Sequence, residues 1–242
     1  MLLNSVKKSI IYLISTIALF LLTFSSSMGF ASYTHIYATS IGLNVLNNTD
    51  AKFKDFYDKA ARDILLDACT KPDEDEIEGL YKGHFYNPVT ELNFNGEEDS
   101  ALRRFCNHYN NAVTLCVNGN KKKGMELLGR AIHYMEDLNT PVHTNNKSYL
   151  DAGVNFLSHV KFESKCDDVC TRHIVEIEKN QLEYYKYTSL EEIGKNCAWS
   201  ANNNFGMLRH KYLSPEEVAE NSVLNAQHSV CGILYRFYED IK

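Results

Sequence analysis

The sequence has no sustained run of alternating polar and apolar residues, no tract rich in Pro, Gly or Ser, and only 4 prolines in 242 residues. The first absence excludes a sheet with one wet face, whose strands need a period of two. The second leaves no linker, so one domain with one good-sized core is expected. The prolines stand at 72, 88, 141 and 215, between apolar-periodic segments, where they bound helices. Positive charge is also short: 25 Lys and Arg against 31 Asp and Glu give a formal net charge of -6. No basic surface remains to grip a phosphate backbone, which weighs against a nucleic-acid partner, although divalent ions in an acidic site would reverse its local sign. No apolar run reaches the roughly 20 residues of a membrane span. The longest, Ile10 to Phe24, follows Lys7 and Lys8 and precedes the small residues Ser25 to Ser27, which is the order of a secretory signal peptide. Residues 1–31 are assigned to that leader, and the product is expected outside the cell.

Seven cysteines, at 69, 106, 116, 166, 170, 197 and 231, suit an oxidising compartment and allow up to three bridges with one thiol left over. Cys166 and Cys170 have no second pair at finger or ribbon spacing, so a local or cross-helix disulfide is expected there.

What is present is helix after helix, an all-α pattern. Thr34 can cap a helix to about Leu46, and another is expected from about Asp50 to Cys69, after which Pro72 opens a loop. Residues from Asp99 to Val117 and from Lys121 to Leu138 carry apolar residues at helical spacing, and Thr140-Pro141 ends the second of these. A further helix is expected from near Gly153 to past Glu176, and another after Ser189 and Glu192. Ser214, Pro215 and Glu217 open the last, which runs to Tyr238.

His133 and Asp137 stand four residues apart, as do His159 and Glu163, so each pair projects from one helix face. His143 follows a proline stop, placed to turn back toward the same space. A lone buried histidine is ordinarily a hydrogen-bonded core residue, but a buried Asp137 needs a partner or a metal. Zinc takes imidazole nitrogen and carboxylate oxygen together.

The run His133-Tyr134-x-x-Asp137-x-Asn139-x-Pro141-x-His143-x-x-Asn146 resembles the signature of the bacterial zinc-dependent phospholipase C family, which includes the clostridial alpha-toxin and Bacillus phosphatidylcholine-preferring enzymes. Pro72-Asp73, Gly83-His84-Phe85, His159-Val-Lys-Phe-Glu163 and Leu234-Tyr235-Arg236-Phe237 extend the resemblance over essentially all of residues 32–242. It implies a single compact multi-helix domain of phospholipase C or single-strand-nuclease type around three zinc ions. Asp73, His84 and His133 would hold one ion; Asp137 would bridge it to a second, bound by His35 and the mature α-amino group; His143, His159 and Glu163 would hold the third. Asp137 and Asp73 would be the catalytic carboxylates, Asp73 also accepting a proton from the attacking water. Asp73 lies among Glu74, Asp75 and Glu76, and Asp75 is its alternative. Histidines 108, 173, 210 and 228 match no part of the motif and are read as structural or exposed.

The implied function is hydrolysis of the glycerol-side phosphodiester of a phospholipid, with phosphatidylcholine foremost, to diacylglycerol and a phosphorylated head group. The membrane surface is then the substrate, approached by a monomer, with Phe85, Tyr86 and Tyr134 available as aromatic walls for a quaternary ammonium. The alternatives are a secreted single-strand nuclease and a homologue that binds lipid or metal without turnover. The nuclease relatives carry Asp four residues after the corresponding histidine, whereas this chain has Glu163 after His159. Three departures from the family stand out. The only tryptophan is Trp199, not an N-terminal one; cleavage after Gly29 or Ala31 would leave Phe30 or Ser32 first. Glu136 occupies a position usually Gly or Thr, and its larger acidic side chain beside Asp137 either faces solvent or disturbs the site. The chain also stops at Lys242, which suggests the single-domain type without a calcium-dependent membrane-binding domain, and hence weak lysis of intact cells.

Overall fold

The computed structural model describes residues 32–145 and 154–242. Among them the architecture is helical, with one isolated antiparallel bridge between Asn87 and Leu92. The signal segment and Asn146 lie outside the described residues. No described helix is long and apolar enough to cross a membrane.

In chain order the helices are α1 (Ser32–Thr49), α2 (Ala51–Phe56), α3 (Lys59–Ala68), α4 (Pro72–Asp75), α5 (Glu78–Tyr81), α6 (Ala101–Val117), α7 (Lys121–Leu138), α8 (Pro141–Thr144), α9 (Val154–Val169), α10 (Lys179–Tyr187), α11 (Leu190–Arg209) and α12 (Pro215–Ile241), with a 3-10 turn at Lys82–His84. Side-chain caps set several starts. Ser100 accepts from Arg103 N, Asn120 from Lys123 N and Ser189 from Glu192 N, and Ser214 forms a full capping box with Glu217 ahead of Pro215.

Helices α6 and α7 pack along one another, joined by a tight turn in which Gly119 takes the left-handed conformation at φ +82°. Their facing side chains, Phe105, Tyr109, Met125, Leu128 and Ile132, form the middle of the main core with Leu43, Leu65 and Phe237. Each such side chain, taken wholly out of water, contributes roughly 1.5–3 kcal/mol. Helix α12 lies against α1 and α9, and a second apolar cluster, which includes Val142, Phe162, Cys166, Val223 and Ala226, fills the space beside α9.

The structure differs from the sequence reading at several boundaries. The helix expected from Asp50 to Cys69 is two: α2 ends at Tyr57, whose hydroxyl donates to the Leu234 carbonyl at 2.6 Å, and Asp58 caps a new start by accepting from Ala61 N. Pro72 begins a short helix instead of a loop. Helix α9 stops at Val169, well before Glu176, because the buried Gln227 on α12 accepts from Val175 N and donates to the His173 carbonyl. Helix α10, which the periodicity did not separate, begins with a Glu178–Gln181 capping box.

All seven cysteines are thiols, so the expected bridges are not formed. Cys166 and Cys170 belong to the second apolar cluster, and Cys170 Sγ donates to the Asp167 carbonyl at 3.3 Å. Burial raises both thiols, as expected of small apolar core residues.

Candidate metal centre

The buried end of α7 is the foundation of the site. From Ala131 onward every residue of α7 is buried, and this continues through α8 to Thr144. His133 and Asp137, one turn apart, therefore face inward together. Three ties present the remaining donors to them. Tyr86 N donates to the His143 carbonyl at 3.0 Å, His143 Nδ1 donates to the His84 carbonyl at 3.0 Å, and Asn87 Nδ2 donates to the Thr144 carbonyl at 3.1 Å. The segment after the 3-10 turn and α8 thus fix each other. Asn202 on α11 also holds the Thr144 carbonyl, at 2.7 Å.

Every donor side chain named from the sequence arrives in this region, in three groups, two of which share His133. Donor atoms of His35, Asp73 and His133 lie within 4.8 Å of one another, as do those of His84, His133 and Asp137, and those of His143, His159 and Glu163. Asp137 sits between groups: Oδ2 is 3.0 Å from His84 Nδ1 and 3.4 Å from His133 Nε2, while Oδ1 is 3.8 Å from His143 Nε2. Asp73 Oδ1 is 3.6 Å from both His84 Nδ1 and His133 Nε2. In the third group Glu163 Oε1 is 2.5 Å from His159 Nε2 and 3.5 Å from His143 Nε2. His35 stacks on His133 with ring centroids 4.1 Å apart and gathers with Asp73 and His133, a closer association than the bridge through Asp137 alone that the resemblance implied.

The groups set one another's charge. Burial opposes ionisation of Asp137, but His133 and His143, with hydrogen bonds from His133 and His84, outweigh it and hold the carboxyl well below its usual range. Burial likewise opposes a charged His133, yet Asp137 and Asp73 push that imidazole up to about 10. Burial raises Asp73 strongly and lifts Glu163 to about 8, and it lowers His159 to about 3. Positive charge among these carboxylates is what stabilises their ionised forms.

The donors suit zinc. Asp73 Oδ1, Asp137 Oδ1, His143 Nε2 and Glu163 Oε2 are buried without a hydrogen-bond partner among the described residues. Such atoms are uncommon in a protein interior and cost about 1–3 kcal/mol each. A cation shared among imidazole nitrogens and carboxylate oxygens satisfies them together.

The alternative ligand Asp75 is excluded by its surroundings: both its oxygens bond Arg130, at 2.7 and 2.5 Å, and its side chain is half exposed. One feature escaped the sequence reading, and a second was left open by it. Glu76 anchors a network in which it accepts from Tyr134 Oη at 2.9 Å and Arg130 at 2.6 Å and meets His108 at 3.2 Å, while Arg104 binds Asp99 through two bonds of 2.8 Å. This network ties the Asp73 segment to α6 and α7. Only the cations Arg104 and Arg130, each on the same helix as core residues, hinted at it. The second is Glu136, which turns inward and is wholly buried, its Oε2 2.5 Å from His35 Nδ1 and its Oε1 accepting from Thr39 Oγ1 at 3.0 Å. Phe85, Tyr86 and Tyr134 are also wholly buried, so none supplies the open aromatic wall suggested for a head group. Phe85 instead packs on His143 at 4.8 Å.

The scaffold is helical and carries three clustered N/O donor groups. A model of the zinc dependent phospholipase C family matches residues 34–204, and the chain belongs to that family. Among individual relatives it is 25% identical to the phospholipase C of Paraclostridium bifermentans and 27% identical to that of Clostridium novyi, each over 86% of this chain and 59% of the relative. The chain thus spans less than two thirds of the curated relatives it matches. The fold is similar to the alpha toxin of Clostridium absonum, with a TM-score of 0.71 and 24% identity over 86% of this chain and 64% of the toxin. A Clostridium perfringens alpha-toxin from an avian strain gives the same TM-score at 23% identity.

Proposed function

We propose that this chain is a secreted, zinc-dependent phospholipase C that cleaves the glycerol-side phosphodiester of phospholipids, phosphatidylcholine foremost, releasing diacylglycerol and the phosphorylated head group. The observation that carries the proposal is the convergence of three donor groups, two of them sharing His133 and the third reached from Asp137 through His143. The donors would be His35, Asp73, His84, His133, Asp137, His143, His159 and Glu163, holding three ions within a catalytic domain of residues 32–242. Zinc bound there supplies charge neutralisation of a phosphodiester and a water acidified toward neutrality.

The chain's own residues then have distinct tasks. Asp137 presents one oxygen to the His84–His133 side and the other to the His143 side, which suits a bridging carboxylate. Asp73, at 11% side-chain exposure the most open of the acids, would accept a proton from the attacking water. Phe85 covers His143 and His159 from behind, closing that side to water. Tyr81, half-buried with its ring 5.6 Å from His84, is the aromatic surface at the edge of the site that suits a quaternary ammonium group. No side-chain nucleophile is required.

The test compares phosphocholine release from phosphatidylcholine vesicles with hydrolysis of single-stranded DNA. Release that a chelator abolishes and added zinc restores is expected, and Asp137→Asn should lower it by more than about 100-fold, beyond the usual loss from an outer-sphere partner. DNA hydrolysis without lipid turnover would make the chain a nuclease, and near-normal turnover by Asp137→Asn would reject the bridge.

A further inference from the structure

The histidine rings of the site are oriented by contacts of two kinds. His133 Nδ1 donates to the Cys69 carbonyl at 2.8 Å, and His143 Nδ1 donates to the His84 carbonyl at 3.0 Å. A carbonyl only accepts, so both rings carry their proton on Nδ1 and face the donor groups through Nε2. The same atom of His35 meets a carboxylate, Glu136 Oε2, at 2.5 Å. The other oxygen of Glu136 accepts from Thr39, one turn beyond His35 on α1, so the contact also joins α1 to α7. Both oxygens are thus directed at α1, and Glu136 belongs to none of the three donor groups. A wholly buried carboxylate is costly without such partners.

We propose that Glu136 is a positioning residue for zinc: its carboxylate keeps the His35 proton on Nδ1, directs Nε2 toward the Asp73–His133 group, and by its charge strengthens that nitrogen as a ligand. The inference rests on the zinc reading above. A carboxylate partner raises the basicity of a metal-bound imidazole and fixes its tautomer, and loss of such a partner typically weakens metal affinity about 10–100-fold. Glu136→Gln keeps the volume and a bond to Thr39 while removing the charge. It should therefore weaken one class of bound zinc and leave the others as they are.

Two measurements on the full chain test this. Imidazole nitrogen NMR of the zinc-loaded wild-type protein should show His35 protonated at Nδ1 and zinc-bound at Nε2; zinc at Nδ1 overturns the proposal without any variant. Competition with a graded chelator should show Glu136→Gln releasing one zinc class at about 10–100-fold higher free zinc, with Glu136→Gln adding nothing in a His35→Asn background. Equal affinity in wild type and Glu136→Gln overturns the positioning role while leaving the zinc enzyme standing, even if the variant melts earlier, since a purely structural role lowers stability without altering zinc release. Absence of zinc at His35 in the wild-type protein overturns both.

Discussion

At the scale of single residues, burial decides what each acidic side chain does. Asp73, Asp75 and Glu76 are near neighbours in sequence yet have three fates: Asp73 joins the donor groups, Asp75 pairs with Arg130 at the surface, and Glu76 enters a part-buried network. Burial would raise the Glu76 carboxyl, but hydrogen bonds from His108, Tyr134 and Arg130 hold it far below its ordinary 4.5. With the folded value depressed, the stabilisation is present above the unfolded value and is lost as pH falls through the folded one. Glu76→Gln should therefore melt below wild type at pH 7, and the gap should close as the pH is lowered through 4 toward 2, read from melting midpoints. A constant gap over that range would show that charge is not what Glu76 contributes.

At the scale of elements, the site depends on how closely α3 approaches α7. A Cβ on Gly129 would lie 2.6 Å from Ala68 Cβ and 3.0 Å from the Leu65 carbonyl oxygen, so no larger residue fits without moving the helices apart. Cys69, at the end of α3, supplies the carbonyl that orients His133. The same contact therefore packs the core and sets a ligand. Gly129→Val should destabilise the fold by about 1–3 kcal/mol, measured by denaturant unfolding, and should also weaken zinc retention because the Cys69 carbonyl shifts. Unchanged stability would mean the helices can separate freely at this point.

At the scale of the whole molecule, side chains from α1, α4, the 3-10 turn, α7, α8 and α9 converge, so zinc held by them would couple binding to folding. A ligand held only by the native state stabilises it by about 2.7 kcal/mol at 100 times its dissociation constant. For a chain of this size that is a shift of at least about 5 °C per site. Removing zinc with a chelator should lower the melting midpoint by that much or more in calorimetry, and re-adding zinc should restore it. A midpoint indifferent to the chelator would show that the donors hold no ion in the native state.

The sequence by itself determined the helical class, the caps at Ser189 and Ser214, and the pairing of His133 with Asp137 and of His159 with Glu163, because a helix places residues four apart on one face whatever surrounds it. Local spacing could not bring His35, Asp73 and His84 to those pairs; they were legible through the family motif, and their meeting is an outcome of packing. Tertiary structure alone decided the break at Tyr57, whose hydroxyl finds a carbonyl on α12, and the early end of α9, whose backbone partners come from Gln227. It also kept the cysteines as thiols, four of them buried, and brought Asp73 rather than Asp75 to the site, since only one of the two carboxylates faces away from Arg130. Glu136 belongs with these. Its sequence position says that an acid stands beside Asp137, and only the approach of α1 to α7 gives that acid a histidine to hold.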